Sequence, residues 1–183
     1  MRMKSEPGTG TLPRFEMQPT LEGELVRVRP LRTDDFDALY AVGSDPMIWE
    51  QHPDWDRYKI EVFREFFRKA IEDGGALTVI DAATGETIGS SRYHGYDPAR
   101  SEVEIGWTFL ARKYWGGQYN GELKRLMLDH AFRFVDQVVF IIGETNWRSR
   151  RAVEKIGGVL LGSRINAEGE ERLAYVISRA GRR

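Results

Sequence analysis

The 183-residue chain contains no cysteine. Disulfides, thiolate metal sites and cysteine nucleophiles are therefore excluded. Histidine is also scarce, and the spacing of His52, His94 and His130 matches no metal-binding motif. His130 falls within an amphipathic helical pattern, where we expect it to be a packing residue. The sequence thus predicts no metal site.

The sequence also lacks an excess of charge of either sign and long apolar runs. Lys and Arg number 27 against 28 Asp and Glu, which argues against broad nucleic-acid binding through phosphate neutralisation. No apolar run approaches the roughly 20 residues that a membrane helix needs. The first fifteen residues have no apolar centre like that of a signal peptide. We therefore expect a cytoplasmic protein that binds neither nucleic acid nor membrane.

Length and composition predict one domain. Hydrophobic residues make up 41% and charged residues 30% of the chain, which is ordinary for a globular domain with a sizeable core. Residues 1–18 carry two prolines and two glycines among polar residues, so they predict a poorly ordered leader. The single domain is then expected to occupy residues 19–183.

Hydrophobic periodicity predicts seven strands and four helices. The strand patterns fall at 21–31, 76–81, 87–96, 102–110, 137–143, 159–164 and 171–178. The helical patterns fall at 33–43, about 57–73, about 119–135 and after the capping residue Asn146. A mixed sheet with helices on both faces is the packing that fits this order. The strands at 102–110 and 137–143 are joined by a helix, so we expect them to be parallel neighbours.

The stretch EIGWTFLARKYWGGQYNGELKRLML, residues 104–128, runs from a strand through two glycines into a helix. The first N–H groups of a helix have no intrahelical partner and favour an anion, and glycine lets a phosphate approach the backbone. Ligands of such sheets bind beyond the carboxyl ends of the parallel strands, which is where this turn lies. Taken alone, such a turn is more often a plain connection between a strand and a helix than a binding site.

Four segments together resemble the GNAT superfamily of acyl-CoA-dependent N-acetyltransferases. They are LVRVRPLRTDDFDALY at 25–40, EIGW at 104–107, YWGG with Glu122, and NWRSRRAVEKIGG at 146–158. The resemblance spans residues 21–178 and is closest to the branch that contains the ribosomal-protein N-terminal acetyltransferases. It implies an α/β fold with a largely antiparallel central sheet of about seven strands, in which strands four and five form a splayed parallel pair.

The resemblance implies acetyl-CoA as the cofactor. It places the pantetheine arm and the pyrophosphate on residues from the fourth strand, the glycine turn and the helix after Asn146. These residues are Phe109, Leu110, Ala111, Arg112, Gly116, Gly117, Gln118, Tyr119, Asn120, Gly121, Asn146 and Ser149. The turn departs from the family pattern, since Gln118 stands where a second glycine belongs and Asn120 where Ala or Gly belongs. The Asn120 amide is able to donate a hydrogen bond to a phosphate oxygen in compensation.

Acetyl transfer needs a neutral amine, aligned reactants, donors for the oxyanion and a proton for the departing thiolate. Glu104 is the candidate base, acting through water, because alternation turns it away from its apolar neighbours; an ion-paired surface position is the alternative. Ser149 is the candidate acid or water-positioning group, and Asn146 is a helix cap that also contributes to the cofactor side. The tyrosine that many family members use as acid has no counterpart in the 146–158 helix.

Aromatic and polar residues in two variable segments predict the acceptor site. These residues are Trp49, His52 and Trp55 in the early loop, and Tyr93, His94 and Tyr96 on the third strand. Some of them are expected to be ordinary core or surface aromatics instead. The predicted partner is an amine, either a small molecule or a peptide N-terminus, and the resemblance also allows a homodimer.

The leading hypothesis is an acetyl-CoA-dependent N-acetyltransferase that acts on a primary amine by direct attack. The first alternative is a non-catalytic acyl-CoA-binding or regulatory domain on the same fold, which the altered glycine turn suggests. The second alternative is an unrelated nucleotide- or phosphate-binding α/β module. The sequence does not identify the acceptor amine.

Overall fold

The computed structural model describes residues 14–166 and 168–181. In this part of the chain the strands are β1 (Leu21–Glu22), β2 (Val26–Pro30), β3 (Ala76–Asp81), β4 (Thr87–Asp97), β5 (Glu102–Leu110), β6 (Gln137–Ile142), β7 (Val159–Ile165) and β8 (Glu171–Ser178). The α-helices are α1 (Phe36–Gly43), α2 (Ile60–Asp73), α3 (Gln118–Ala131) and α4 (Trp147–Lys155). None of these helices combines the length and the apolar character needed to cross a membrane.

The strands form one sheet in the order β1-β2-β3-β4-β5-β6-β8-β7. All neighbours are antiparallel except β5 and β6, which pair in parallel. The predicted mixed, largely antiparallel sheet with one parallel pair is therefore confirmed. The sheet has eight strands instead of seven because the pattern at 21–31 is broken by a turn between β1 and β2.

The turn between β1 and β2 is held by a carboxylate from α3. Glu122 accepts hydrogen bonds from the backbone N–H groups of Glu24, Leu25 and Val26, at 3.1, 2.6 and 2.8 Å. Its side chain is only 11% exposed. Three backbone donors whose strand pairing is interrupted are thus satisfied by one charge nearly a hundred residues away.

Two hydrophobic clusters cover the two faces of the sheet. The larger contains Leu123, Met127 and Leu128 of α3 and Val153 of α4, packed against inward side chains of β2 to β6 and of β8. The smaller contains apolar side chains of α1 and α2, together with Phe109 of β5. Helices on both faces of the sheet were predicted, and this prediction is confirmed.

The parallel pair β5–β6 opens after only three residues. Pairing joins Glu102, Val103 and Glu104 to β6, and the described sheet shows no further register between these strands. β5 also bulges against β4, because Arg92 pairs with Gly106 while Ser90 pairs with Phe109. The bulge includes Trp107, whose φ of 49° lies in the left-handed region. Beyond Glu104, β5 therefore diverges from β6, as the predicted splayed pair requires.

Part of the predicted leader packs against the domain. Phe15 is 4% exposed and belongs to the larger cluster. The Gln18 side chain donates to the carbonyl of Ala76, and the carbonyl of Glu16 bonds to buried His130. Residues 15–18 of the predicted leader thus contact the domain, while residues 1–13 lie outside the described part of the chain. His130 is a packing residue, as expected.

We expect Glu122→Gln to lower the free energy of unfolding by about 1–2 kcal/mol at neutral pH, because charge-assisted hydrogen bonds to three N–H groups are lost. Burial raises the pKa of Glu122, but the backbone donors lower it further, below its usual range. A lowered carboxyl pKa stabilises the fold above the unfolded pKa, and this contribution disappears as the pH falls through the folded pKa. Urea unfolding at neutral and acidic pH measures both effects.

Glu72→Gln provides the control, since Glu72 is an exposed carboxylate of α2 that pairs with Arg68. We expect it to change the urea midpoint much less than Glu122→Gln. Equal destabilisation by the two substitutions at neutral pH would contradict the structural role given to Glu122.

Candidate functional site

A cavity of about 270 Å³ lies where β5 and β6 separate. Its walls come from β5 residues 105–110, β6 residues 140–142, the glycine turn, α3 and the start of α4. The segment after α1 closes the remaining side. The cavity therefore occupies the place at which the predicted cofactor and acceptor would meet.

The bulge in β5 distributes neighbouring side chains to opposite faces. Thr108 bonds to Lys124 of α3 at 2.5 Å, whereas Phe109 packs against Trp49 at a ring distance of 5.1 Å on the face of α1 and α2. Phe109 and Leu110 both line the cavity. Ala111 does not, since its N–H donates to the carbonyl of Ile88 at 2.8 Å. Of the three predicted pantetheine contacts on β5, the structure thus brings two to the cavity.

Glu104 lies where the opening begins, next to the cavity, and does not itself line it. It is the last β5 residue paired to β6, and its carboxylate lies 3.2 Å from the position that a Cβ on cavity-lining Gly106 would take. Burial, followed by the negative charge of Glu168, raises the pKa of Glu104 to about 7, against the opposing effect of Arg92. The half-buried carboxylate therefore changes protonation near neutral pH, as a general base must.

Asn146 and Ser149 both line the cavity from the start of α4. The Asn146 carbonyl oxygen Oδ1 accepts a hydrogen bond from the Ser149 backbone N–H at 3.2 Å, so the predicted helix cap is confirmed. The structure therefore brings this pair to the same space as Phe109 and Leu110.

The glycine turn departs from the family pattern at Gln118 and Asn120, and these two residues cause no backbone strain. Gly116 has φ of 68° and lines the cavity, while Gly117 is the residue before α3 and has no side-chain cap. Gln118 is the first residue of α3, a position that needs no glycine conformation. Asn120 lines the cavity one residue after Tyr119. The turn thus leaves the N–H groups of the first turn of α3 without a side-chain partner in the described structure.

Five other predicted cofactor contacts do not line the cavity, and they are Arg112, Gly117, Gln118, Tyr119 and Gly121. The exposed Arg112 forms an ion pair with Asp45. The ring of Tyr119 packs at a tilt against that of Tyr114, with 4.6 Å between ring centres, and Gly121 lies within α3 with open space at its Cβ position. These residues do not line the cavity, although the turn that carries Tyr119 and Gly121 borders it.

The predicted acceptor residues divide between the cavity and the core. Trp49 and His52 line the cavity, although Trp49 is 3% exposed and donates from Nε1 to the carbonyl of Gly43. His94 lies beside the cavity, paired to Glu104 across the sheet and in edge-to-face contact with the ring of cavity-lining Trp107 at 5.2 Å.

Tyr93 and Tyr96 lie on the opposite face of the sheet. Tyr93 is fully buried and donates its hydroxyl to the carbonyl of Met127, and Tyr96 stacks on Phe15 at 5.2 Å. Both rings therefore belong to the core beneath α3 and not to the predicted acceptor pocket. Trp55 is 57% exposed, with Lys59 over its ring, and does not line the cavity.

A buried arginine accompanies His52. Arg57 is 8% exposed, pairs with Asp54, and stacks over the ring of Phe66 at 4.6 Å. Burial and then the Arg57 charge lower the pKa of His52 to about 3. His52 is therefore neutral under ordinary conditions and is a poor base, which leaves Glu104 as the titratable carboxylate at this end of the cavity.

The sequence did not identify Lys124 and Arg57 as site residues. Lys124 lines the cavity and is 5% exposed. It stands four residues from Asn120 and from Leu128, so helical spacing does place it on the buried stripe of α3. The signal was thus present as a charged residue at a core position. Arg57 gave no such signal, because it lies in the irregular segment before α2.

No cluster of three or more potential metal ligands occurs in residues 14–166 and 168–181. The groups at the cavity are a carboxylate at its mouth, a buried amine, two amides, three hydroxyls, an imidazole, two ion-paired guanidinium groups and a helix start. Such a set can bind an elongated anionic ligand and move protons, which suits transfer of an activated group to a nucleophile.

A sequence model of the acetyltransferase (GNAT) domain matches residues 26–159. No curated protein sequence matches the chain. Among solved structures, a candidate acetyltransferase from T. thermophilus is 26% identical, with a TM-score of 0.70 over 88% of this chain and 89% of that one.

Two more distant structures show similarity of fold alone. Mycobacterium smegmatis RimJ in complex with CoA-disulfide is 18% identical, with a TM-score of 0.67 over 86% of this chain and 83% of that one. Spermidine N-acetyltransferase from Vibrio cholerae in complex with CoA and spermine is 16% identical, with a TM-score of 0.66 over 86% of this chain and 98% of that one.

The cap at α4 gives a prediction about stability. We expect Asn146→Ala to lower the free energy of unfolding by about 1 kcal/mol, because the Ser149 N–H loses its acceptor. Asn146→Asp should remain within a few tenths of a kcal/mol of the unchanged protein, since a carboxylate caps a helix as well as an amide. Thermal unfolding of both variants measures the difference. If Asn146→Asp is as unstable as Asn146→Ala, the cap does not account for the effect.

Proposed function

The chain belongs to the acetyltransferase (GNAT) domain family, and we propose that it transfers an acetyl group from acetyl-CoA to a primary amine. The observation that carries this proposal is the cavity between β5 and β6, with Glu104 at its mouth and a pKa of about 7 for that carboxyl. A purely structural carboxylate in an ion pair would have its pKa lowered instead.

The residues around the cavity fit coenzyme A by their chemistry. Uncapped N–H groups at the start of α3 and the amide of Asn120 suit the pyrophosphate. The free edge of β5 offers backbone groups that suit the amides of a pantetheine arm, in the manner of an added strand. Asn146 and Ser149 face this edge from α4. When bound, acetyl-CoA supplies an acetyl group activated as a thioester.

Glu104 is proposed to take the proton of the attacking amine, directly or through water. An ammonium group has no lone pair, so the amine must be neutral before it attacks. A carboxylate with a pKa of about 7 is a stronger base than an ordinary Glu and is still partly ionised at neutral pH. Backbone N–H groups of β5 beyond Glu104 are the donors proposed for the oxyanion.

The acceptor is proposed to enter from the face that carries α1 and α2. Trp49, His52 and Arg57 line the cavity there, and Glu104 faces the same side because it alternates with core residue Ile105. Aromatic walls with a few polar groups suit a small amine or a peptide N-terminus. Assignment to the branch of ribosomal-protein N-terminal acetyltransferases is part of this proposal and rests on the EIGW and 146–158 motifs.

Binding of coenzyme A is the first test. We expect acetyl-CoA to bind with saturable heat in isothermal titration and to raise the melting temperature, because binding to the native state stabilises it. Ala152→Trp should abolish binding, since Ala152 lines the cavity. Ala38→Trp, at an exposed position of α1, is the control that should bind normally. Equal binding of ATP and acetyl-CoA would favour a nucleotide-binding module, and no binding of either would reject the proposal.

Glu104→Gln tests catalysis against mere acyl-CoA binding. We expect kcat for release of free thiol in the presence of amines to fall about 10²–10⁴-fold, while affinity for acetyl-CoA stays unchanged. In the unchanged protein the rate should fall as the pH drops below about 7, because protonation removes the base.

Two further variants control this experiment. Glu168→Gln should shift the acidic limb of the pH profile to lower pH, because the Glu168 charge raises the pKa of Glu104. Glu61→Gln, exposed on α2, should leave the profile unaltered. A domain that binds acetyl-CoA but releases no thiol with any amine would support the non-catalytic alternative.

A further inference from the structure

Lys124 is a buried amine in the opening between β5 and β6. It is 5% exposed and lines the cavity. Its Nζ lies 2.5 Å from Thr108 Oγ1 of β5, 3.4 Å from Ser91 Oγ of β4, and 5.7 Å from the centre of the Phe140 ring of β6. The amine therefore reaches the space that the two diverging strands leave between them.

The surroundings of Lys124 in the described structure contain no carboxylate partner. The side chains that face it are the hydroxyls of β4 and β5 and the ring on β6, while Asn146 and Ser149 of α4 line the same cavity. Tyr114, which also lines the cavity, donates its hydroxyl to Asp81.

The other cations of the cavity differ from Lys124 in this respect. Arg57 pairs with Asp54, and Arg148 pairs with Glu50 at 2.6 Å. Burying a cation without a counter-charge costs free energy of folding. We therefore expect the ammonium of Lys124 to be stabilised by an anion that comes from outside the protein.

We propose that Lys124 protonates the thiolate that leaves during acetyl transfer. The inference rests on the proposed function, since it requires acetyl-CoA in the cavity. It also answers a chemical need of that function, because the start of α4 offers the cavity a hydroxyl, an amide and the guanidinium of Arg148, which is paired with Glu50 and is too weak an acid to give up its proton.

Protons and electrons balance in the proposed acetyl transfer. The amine nitrogen forms a bond to the acetyl carbon, and Glu104 accepts the proton that this nitrogen loses. The carbon–sulfur bond then breaks, and its electron pair goes to sulfur. The ammonium of Lys124 gives one proton to sulfur and becomes a neutral amine. Solvent later takes the proton from Glu104 and returns one to Lys124, so the net products are an amide and a thiol.

The cost of burying Lys124 separates this role from a structural one. Burial lowers the pKa of Lys124 to about 7, with no charged neighbour contributing. A lowered lysine pKa destabilises the fold fully below the folded pKa, and the penalty fades as the pH rises toward the unfolded value of about 10.4. An apolar side chain of similar length would avoid this penalty. An amine at this position therefore lowers the stability of the fold, and we attribute its presence to function.

The first experiment measures the thiol of bound coenzyme A and does not depend on turnover. The ultraviolet absorbance of the thiolate is followed against pH for free coenzyme A, for its complex with the unchanged protein and for its complex with Lys124→Met. A thiolate beside Lys124 raises the pKa of the lysine and the ammonium in turn favours the thiolate, so the two groups titrate as a pair and we expect the thiol pKa to be lower by about one unit or more in the complex with the unchanged protein. The same pKa in free and bound coenzyme A would overturn the proposal.

The second experiment compares stability and turnover. Lys124→Met should raise the melting temperature at neutral pH by on the order of 5 °C, with a smaller gain at alkaline pH. It should also lower kcat about 10²-fold and remove the basic limb of the pH profile, with acetyl-CoA affinity nearly unchanged. Lys69→Met, at an exposed site of α2, is the control and should alter none of these properties.

The outcomes distinguish this inference from the proposed function. If the unchanged protein neither binds acetyl-CoA nor releases thiol with amines, the proposed function fails. If it does both, and Lys124→Met keeps the same kcat and basic limb, only the role of Lys124 is rejected. If Lys124→Met does not fold, Lys124→Gln is used in its place, and the thiol pKa measured on the unchanged protein still decides the question.

Discussion

The separation of β5 from β6 is the constraint on which the site depends. Three residue pairs hold these strands together, and beyond Glu104 one edge of β5 has no strand partner in the described sheet. Backbone N–H and C=O groups are costly to leave unpaired away from water, so such an edge persists only where solvent or a ligand reaches it. The bulge at Trp107 directs β5 along this open path. The cavity, its backbone donors and the position of α4 all follow from that geometry.

Two ionisable groups flank the opening from opposite faces of β5. Glu104 faces the side of α1 and α2, whereas Lys124 rises from α3 on the other side. Burial disfavours the charged form of each, so it raises one pKa and lowers the other until both lie at about 7. The proposed base and the proposed acid therefore have similar pKa values for the same reason, which is burial beside the opening.

Helix α3 carries two buried charges with different partners. Glu122 is satisfied by three backbone N–H groups and fixes the turn between β1 and β2. Lys124, two residues later, contacts hydroxyls and a ring, and no carboxylate of the described residues pairs with it. The first charge stabilises the fold that positions α3, and the second is the one that remains for a ligand. The environments of Glu122 and Lys124 are both made by residues far away in sequence. The same helix therefore contributes to the scaffold and to the proposed site.

Local pattern alone determined most elements. The alternation at 102–110, the apolar run of β6 and the Asn146 cap were readable because strand period, burial and capping depend on residues close in sequence. The tertiary structure decided the rest. In the folded chain Glu122 holds a turn that divides residues 21–31 into two strands. Tyr93 and Tyr96 point into the core, and Lys124 lines the cavity. The tertiary structure also set the proton affinities of Glu104 and Lys124, because desolvation is imposed by strands and helices that meet only after the chain has folded.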